Sequence, residues 1–128
     1  MAVTHTTTVR NAQADAIWDT LDSGLLDLRI TGSTADAPST SAAQLTLNAA
    51  AAPAASSGVV TAAAITSDTN ATGNASAVAY GTLSTSGSVV KVHFAVAASG
   101  SDFNLSGGLT INAGDTVSCS SLTYTAMP

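Results

Sequence analysis

From Val9 to Leu21 the apolar residues Val9, Ala12, Ala16, Ile17 and Leu21 recur at spacings of three and four, with Asp15, Asp19 and Asp22 on other faces. This spacing predicts a helix over 9–23, its apolar stripe widened by Trp18. The Thr8 hydroxyl is placed to cap its first turn, and Ser23-Gly24 to end it with glycine in the left-handed conformation. Beyond Gly24 the period falls to two. In Leu25 to Thr31, the residues Leu26, Leu28 and Ile30 share one face and Asp27, Arg29 and Thr31 the other, as in a half-buried strand. Gly32 to Thr40 contains Pro38 and reads as a loop, and Gln44 to Asn48 alternates again. Ala49 to Ser57 has no period and holds Pro53, which disfavours helix. Val59 to Thr66 is β-branched and strand-like, and Ser67 to Asn74 is a polar turn.

The C-terminal half continues in this way. Ser76 to Thr82 and Val89 to Val96 flank a Ser84-Thr85-Ser86-Gly87 turn, and Val90, Val92, Phe94 and Val96 give the cleanest alternation in the chain. Phe103 to Leu105 is a short strand candidate. Leu109 to Ile111 and Thr116 to Thr125 flank Asn112-Ala113-Gly114-Asp115 as a final hairpin. One helix and seven or eight short strands, with turns about every 8–12 residues, predict a mostly β fold: a β-sandwich, a jelly-roll-like domain or a partly open barrel. The chain reads as a single domain over 1–128, with an extended arm at 1–8, a helix at 9–23 and a β domain at 25–128.

Composition adds a constraint. Hydrophobic residues are 45% of the chain but aromatics only 4%, and much of the apolar count is alanine, which contributes little on burial. A thin core is a motive for burying further surface against partners. Arg10, Arg29 and Lys91 stand against eight Asp and no Glu, for a net charge of -5. Three scattered cations cannot neutralise a run of phosphates, which argues against nucleic acid and equally against an anionic membrane surface. No apolar run approaches the roughly 20 residues of a membrane span. Cys119 stands alone, which excludes an intrachain disulfide and a cysteine zinc site. The opening Met1-Ala-Val-Thr-His has neither the basic nor the apolar region of a signal peptide.

Catalytic and metal chemistry find little to work with. Nucleophilic catalysis needs a base beside the nucleophile. The two histidines are His5, in a Thr-rich terminus, and His93, on the outward register of its strand, and both read as surface residues. Ser88 to Lys91 matches a Ser-x-x-Lys string, but a strand runs through it where that chemistry requires a helical turn. Asp68-Thr-Asn70-Ala-Thr72-Gly73 resembles the start of a calcium loop, yet the twelfth position is Ala79 in place of a carboxylate. Eight Asp could supply a glycosidase pair, but few aromatics are present to stack on sugars. No enzyme activity, cofactor or metal is expected.

The order of features resembles a known family. A Thr-rich start leads through Val9-Arg10-Asn11-Ala12 and a short helix to Asp22-Ser23-Gly24 and Leu26-Asp27-Leu28-Arg29-Ile30; Ser99-Gly100-Ser101-Asp102-Phe103-Asn104-Leu105 and Ile111-Asn112-Ala113-Gly114-Asp115-Thr116-Val117 follow. Over nearly its whole length the chain looks like a family of small virion proteins of tailed phages, some of them head decoration or cement proteins. Family members usually carry Tyr-Asp-Gly after the Arg-Ile pair, where this chain has Thr31-Gly32-Ser33. The resemblance implies a capsid decoration protein that stabilises the head through non-covalent contacts with the major capsid protein or other virion proteins. It also implies a homo-oligomer, with a trimer favoured, and a place in the virion after synthesis in the bacterial cytoplasm. A neck or tail structural protein, or a surface adhesin or carbohydrate-binding module, is the alternative. The candidate partner-binding residues are Val3, Thr4, Thr6, Thr7 and Thr8, an arm able to add to a neighbour's sheet edge, together with Trp18. The loops Gly32–Ser41 and Ser67–Asn74 are further contact candidates.

Overall fold

A computed structural model describes residues 3–128. In chain order the elements are α1 (Thr7–Trp18), β1 (Leu25–Ile30), β2 (Ser41–Thr46), β3 (Val59–Thr61), β4 (Val78–Ser84), β5 (Val90–Ala97), β6 (Phe103–Asn104) and β7 (Thr123–Thr125). The fold is mostly β with one N-terminal helix, and its main sheet curls into a half-barrel.

Capping sets where the helix starts. Thr6 is extended and its hydroxyl accepts the Val9 N–H at 3.3 Å, so α1 begins at Thr7 rather than Val9, inside the segment expected to be an extended arm. It ends at Trp18, short of the expected residue 23. Leu21 and Gly24 fold back instead through tight turns, their amides donating to the carbonyls of Trp18 and Leu21 at 3.0 and 2.8 Å. The left-handed residue at this exit is Ser23, with φ 54. Gly24 serves close approach: a Cβ there would lie 2.3 Å from the Ser84 carbonyl oxygen, so the turn rests against β4 only because residue 24 has no side chain.

The predicted stripe is buried only in part, at Trp18 and at Leu21 just beyond the helix. Ala14 and Trp18 are buried, while Val9, Ala12 and Ala16 are exposed and Ile17 is half-buried. Asn11 and Asp15 flank the buried pair and accept backbone N–H groups from Gly58 and Ala55, both at 2.7 Å. The irregular 49–58 segment has amides that need acceptors, and the helix supplies them as carboxylate and amide oxygens where an apolar stripe could not. Trp18, a candidate partner contact, is 3% exposed and packs inside its own domain, so it is corrected to a core residue.

The main sheet has the order β2-β1-β4-β5-β6, with β6 parallel to β5 and every other pairing antiparallel. Cross-strand rows on its inner face run Leu45–Leu26–Leu83–Val92 and Ala43–Leu28–Gly81–Phe94. The Phe94 ring lies across Gly81 so closely that a Cβ would meet it at 2.3 Å, so the aromatic fills the space of the missing side chain. Val60 and Tyr124 of the separate β3–β7 ribbon, with Ala14 and Trp18 of α1, complete this core.

The outer face of β1 is covered as well, in contrast to the half-buried strand predicted from its alternation. Asp27 is 2% exposed; it accepts Ser41 Oγ at 2.9 Å and Gln44 Nε2 at 3.0 Å, and Arg29 approaches it at 3.4 Å. Arg29 also donates to Thr82 Oγ1 at 2.8 Å and to the Ser39 carbonyl at 2.7 Å. Period-two alternation therefore marks two chemically different buried faces, one apolar and one polar.

The expected final hairpin does not form. Leu109, Ile111 and Val117 bond to the backbone of Val78, Asn74 and Asp68, and Gly114 and Asp115 to Ala71, so 109–117 runs as an irregular strap along 68–78. Each arm of the proposed hairpin brings only one buried large residue, Ile111 or Val117, which is too little apolar surface to hold the two together.

Two stability measurements follow. Trp18→Ala should lower unfolding free energy by about 3–5 kcal/mol, whereas Trp18→Phe should cost much less, because the indole N–H has no hydrogen-bond partner; equal losses in urea titrations would contradict the packing described. Asp27→Ala should destabilise by about 2–4 kcal/mol by leaving the partly buried Arg29 side chain without its carboxylate. An unchanged midpoint would show that the pair is solvated.

A candidate partner-docking cleft

The rows that build the core face leave β5 incompletely covered. β4 pairs one side of β5 from Val90 to Ala95, and on the other side β6 pairs only with Val96 and Ala97 while Asp102 takes the Ala95 N–H. Val90, Val92 and Phe94 are consequently half-buried, although each carries a core-type side chain, and only Val96 of this strand is fully buried. Beside that edge opens a cleft of about 340 Å³ between β5 and β7. Its walls include Trp18, Val92, Phe94, Phe103, Leu122 and Tyr124.

Four of the chain's five aromatic residues, Trp18, Phe94, Phe103 and Tyr124, therefore meet in one place. Phe94 and Phe103 pack at 5.5 Å between ring centroids. Each comes from a different element, so no local pattern in the sequence announces the cluster. The fifth aromatic, Tyr80, is on the opposite face against His93, at 5.0 Å. His93, expected at the surface, is half-buried there and lies 3.2 Å from Ser33 Oγ.

The remaining sequence candidates lie elsewhere. Val3, Thr4, Thr6, Thr7 and Thr8 are all exposed, but they do not form one extended arm: Thr6 caps α1, and Thr7 and Thr8 belong to its first turn. His5 Nδ1 lies 2.7 Å from the Pro128 carbonyl oxygen and brings the two ends of the chain together, with Val3 78% and Met127 73% exposed beside this junction. Met1 and Ala2 lie outside the described residues. Trp18 is the one candidate that reaches the cleft, as part of its inner wall.

Charge chemistry is used internally. Both oxygens of Asp68, the first residue of the calcium-like string, accept backbone N–H groups, from Gln44 and Asn70 at 2.9 and 3.0 Å. Among the described residues no group of three His, Cys, Asp or Glu side chains could hold a metal ion, and no helix is long and apolar enough to cross a membrane. Arg29 is committed to the β1 network and Arg10 lies against Gly58, which leaves Lys91 as the exposed basic side chain among the described residues. Such an arrangement is suited to non-covalent contact through backbone and apolar groups. No family model, curated protein or solved structure matches the chain.

A groove on the far side of Phe103 runs to Cys119, whose thiol donates to the Ser121 carbonyl at 3.3 Å. Burial pushes this thiol above its ordinary pKa, and the hydrogen bond to Ser121 only partly offsets the effect. Near pH 8 the folded protein should hence react with iodoacetamide several-fold more slowly than the urea-unfolded chain, since the thiolate is the nucleophile. Equal rates would place the thiol in free solvent.

Proposed function

We propose that this chain is a structural protein of a tailed-phage virion, a head decoration or cement protein held by non-covalent contacts with the major capsid protein. The observation that carries the structural reading is the aromatic-lined cleft beside an open strand edge, in a domain whose charged groups are largely engaged in its own fold. Aromatic residues gathered at a partly desolvated cleft are the usual anchors of protein interfaces. The phage assignment itself rests on the order of sequence features, from the Thr-rich start to Ile111–Val117. A net charge of -5 suits the outer capsid surface better than the DNA-facing lumen. A decoration subunit can bind weakly at each contact and still reinforce a shell, because several contacts act at once.

The same gathering of aromatics is the one observation that favours the second reading, a surface carbohydrate-binding module. Against a sugar platform, Trp18 is buried and the other three rings are only half-exposed, so none presents a free flat face. Calorimetry with representative oligosaccharides separates the two readings.

The direct test is the copy number of the protein on purified particles. Hundreds of copies per particle are expected for a head decoration, a few for a neck or tail component, and none would overturn the virion reading. Attachment should also persist across a salt series from 50 mM to 1 M, since backbone and apolar contacts are barely screened. Release at moderate salt would point instead to a charge-led contact.

A further inference from the structure

We infer that the aromatic cleft reads lysine: it takes a lysine side chain of the partner protein, with the aliphatic stem against the apolar walls and the ammonium on Asp102. Asp102 stands beside Phe103 and is the one acidic residue on the cleft wall. Its position is set by the turn that follows β5. Gly100, with φ 71, bends the chain back, and Ser101 N–H donates to Asn104 Oδ1 at 3.1 Å. Asp102 is thereby laid against the strand the chain has just left, where its Oδ2 accepts Ala95 N–H at 3.3 Å. This bond holds the carboxylate at the mouth of the cleft and leaves its second oxygen without a partner among the described residues.

Charge decides what can sit there. Among the described residues the one ion pair is Asp27 with Arg29, on the outer face of the sheet. Lys91 is four residues from Ala95 along β5, about 13 Å by the rise of a strand, and makes no pair with Asp102. An unpaired carboxylate at an apolar mouth, in a chain of net charge -5, is complementary to a cation supplied from outside. The guanidinium fork of arginine matches two free carboxylate oxygens, but here Oδ2 is already engaged. One free oxygen suits the point charge of an ammonium. A metal ion would need more ligands than a single carboxylate offers. The walls select the remainder of the ligand, because lysine can bury its stem along apolar surface while its head reaches a polar rim. That stem fills only part of about 340 Å³, so an apolar neighbour of the lysine takes the rest of the cleft. Once the partner covers the mouth, the pair leaves solvent and is screened little, in keeping with the salt tolerance expected of attachment.

The lysine assignment rests on the reading of the cleft as the docking site for a virion partner, and the two are tested separately. Trp18, the chain's one tryptophan, lines the cleft and reports on its occupancy through its emission. The purified full chain should bind acetyl-Leu-Lys-Leu-amide about tenfold more tightly than the same peptide with norleucine or glutamate at its centre. Asp102→Asn keeps an acceptor for the Ala95 N–H but removes the charge, and should bring the lysine and norleucine peptides to within about twofold of each other. Asp115→Asn is the matched control: Asp115 also gives one oxygen to a backbone N–H, that of Asn112 at 2.8 Å, but lies outside the cleft, so the lysine preference should survive. Circular dichroism checks that both variants remain folded. On particles, Asp102→Asn should be displaced by competing wild-type chain. No response of Trp18 emission or backbone amide shifts to the lysine peptide, equal affinity for the lysine and norleucine peptides, or a preference that persists in Asp102→Asn would overturn the inference. Equal competition on particles would overturn it and leave the virion reading intact. Absence of the wild-type chain from particles would sink the virion reading, and the peptide preference would then decide the cleft by itself.

Discussion

The fold depends on the buried pair of Asp27 and Arg29. An ion pair withdrawn from water is stable only when its remaining lone pairs and donors are satisfied, and these two side chains are satisfied by groups from different parts of the chain. Asp27 takes its bonds from Ser41 and Gln44 of β2, and Arg29 gives its own to Thr82 of β4 and to Ser39 in the β1–β2 loop. One network thereby joins three adjacent strands and the loop over their outer face. Registers in a flat sheet of small residues can slip by two without much loss of apolar burial, but a shift here would strand two charges.

Small side chains impose the second constraint. With so much of its apolar content in alanine, the domain relies on backbone hydrogen bonding for cohesion, and side-chain oxygens fill in where ladders end. Asn11, Asp15, Asp22 and Asp68 each accept a main-chain N–H from a distant loop or strand. The absence of glutamate is consistent with that role, because the short Asp and Asn side chains reach nearby amides without ordering a longer stem. The acidic composition is largely a set of loop fasteners.

The same scarcity explains where the molecule is unfinished. Most of the large side chains go to the β1–β4 centre, and the remaining aromatics collect between β5 and β7, where no further strand covers them. Polar contacts along 66–73 close the β2 edge, whereas on β5 the outer edge is covered from Ala95 to Ala97 by Asp102 and β6.

Much of the architecture was legible locally. Period-two alternation located β1, β5 and part of β2, the turn at Ser84–Gly87 set the β4–β5 hairpin, and the helix near Trp18 followed from its spacing, because each of these depends on neighbours within a few residues. The alternation could not tell that the outer face of β1 is also buried, since Asp27, Arg29 and Thr82 look polar whether water or another side chain satisfies them. The helix stripe was legible only at Trp18 and Leu21, for the same reason: Asn11 and Asp15 are buried-side residues only because the 55–58 backbone needs acceptors. The strap over 109–117 and the cleft were beyond local pattern altogether. Trp18, Phe94, Phe103 and Tyr124 are far apart in sequence, and only the curl of the sheet brings them together. The sequence by itself determined where the helix and the strands β1, β4 and β5 lie; the tertiary structure alone decided what each polar face meets and how the 109–117 strap runs, because both depend on contacts made after the chain has closed on itself.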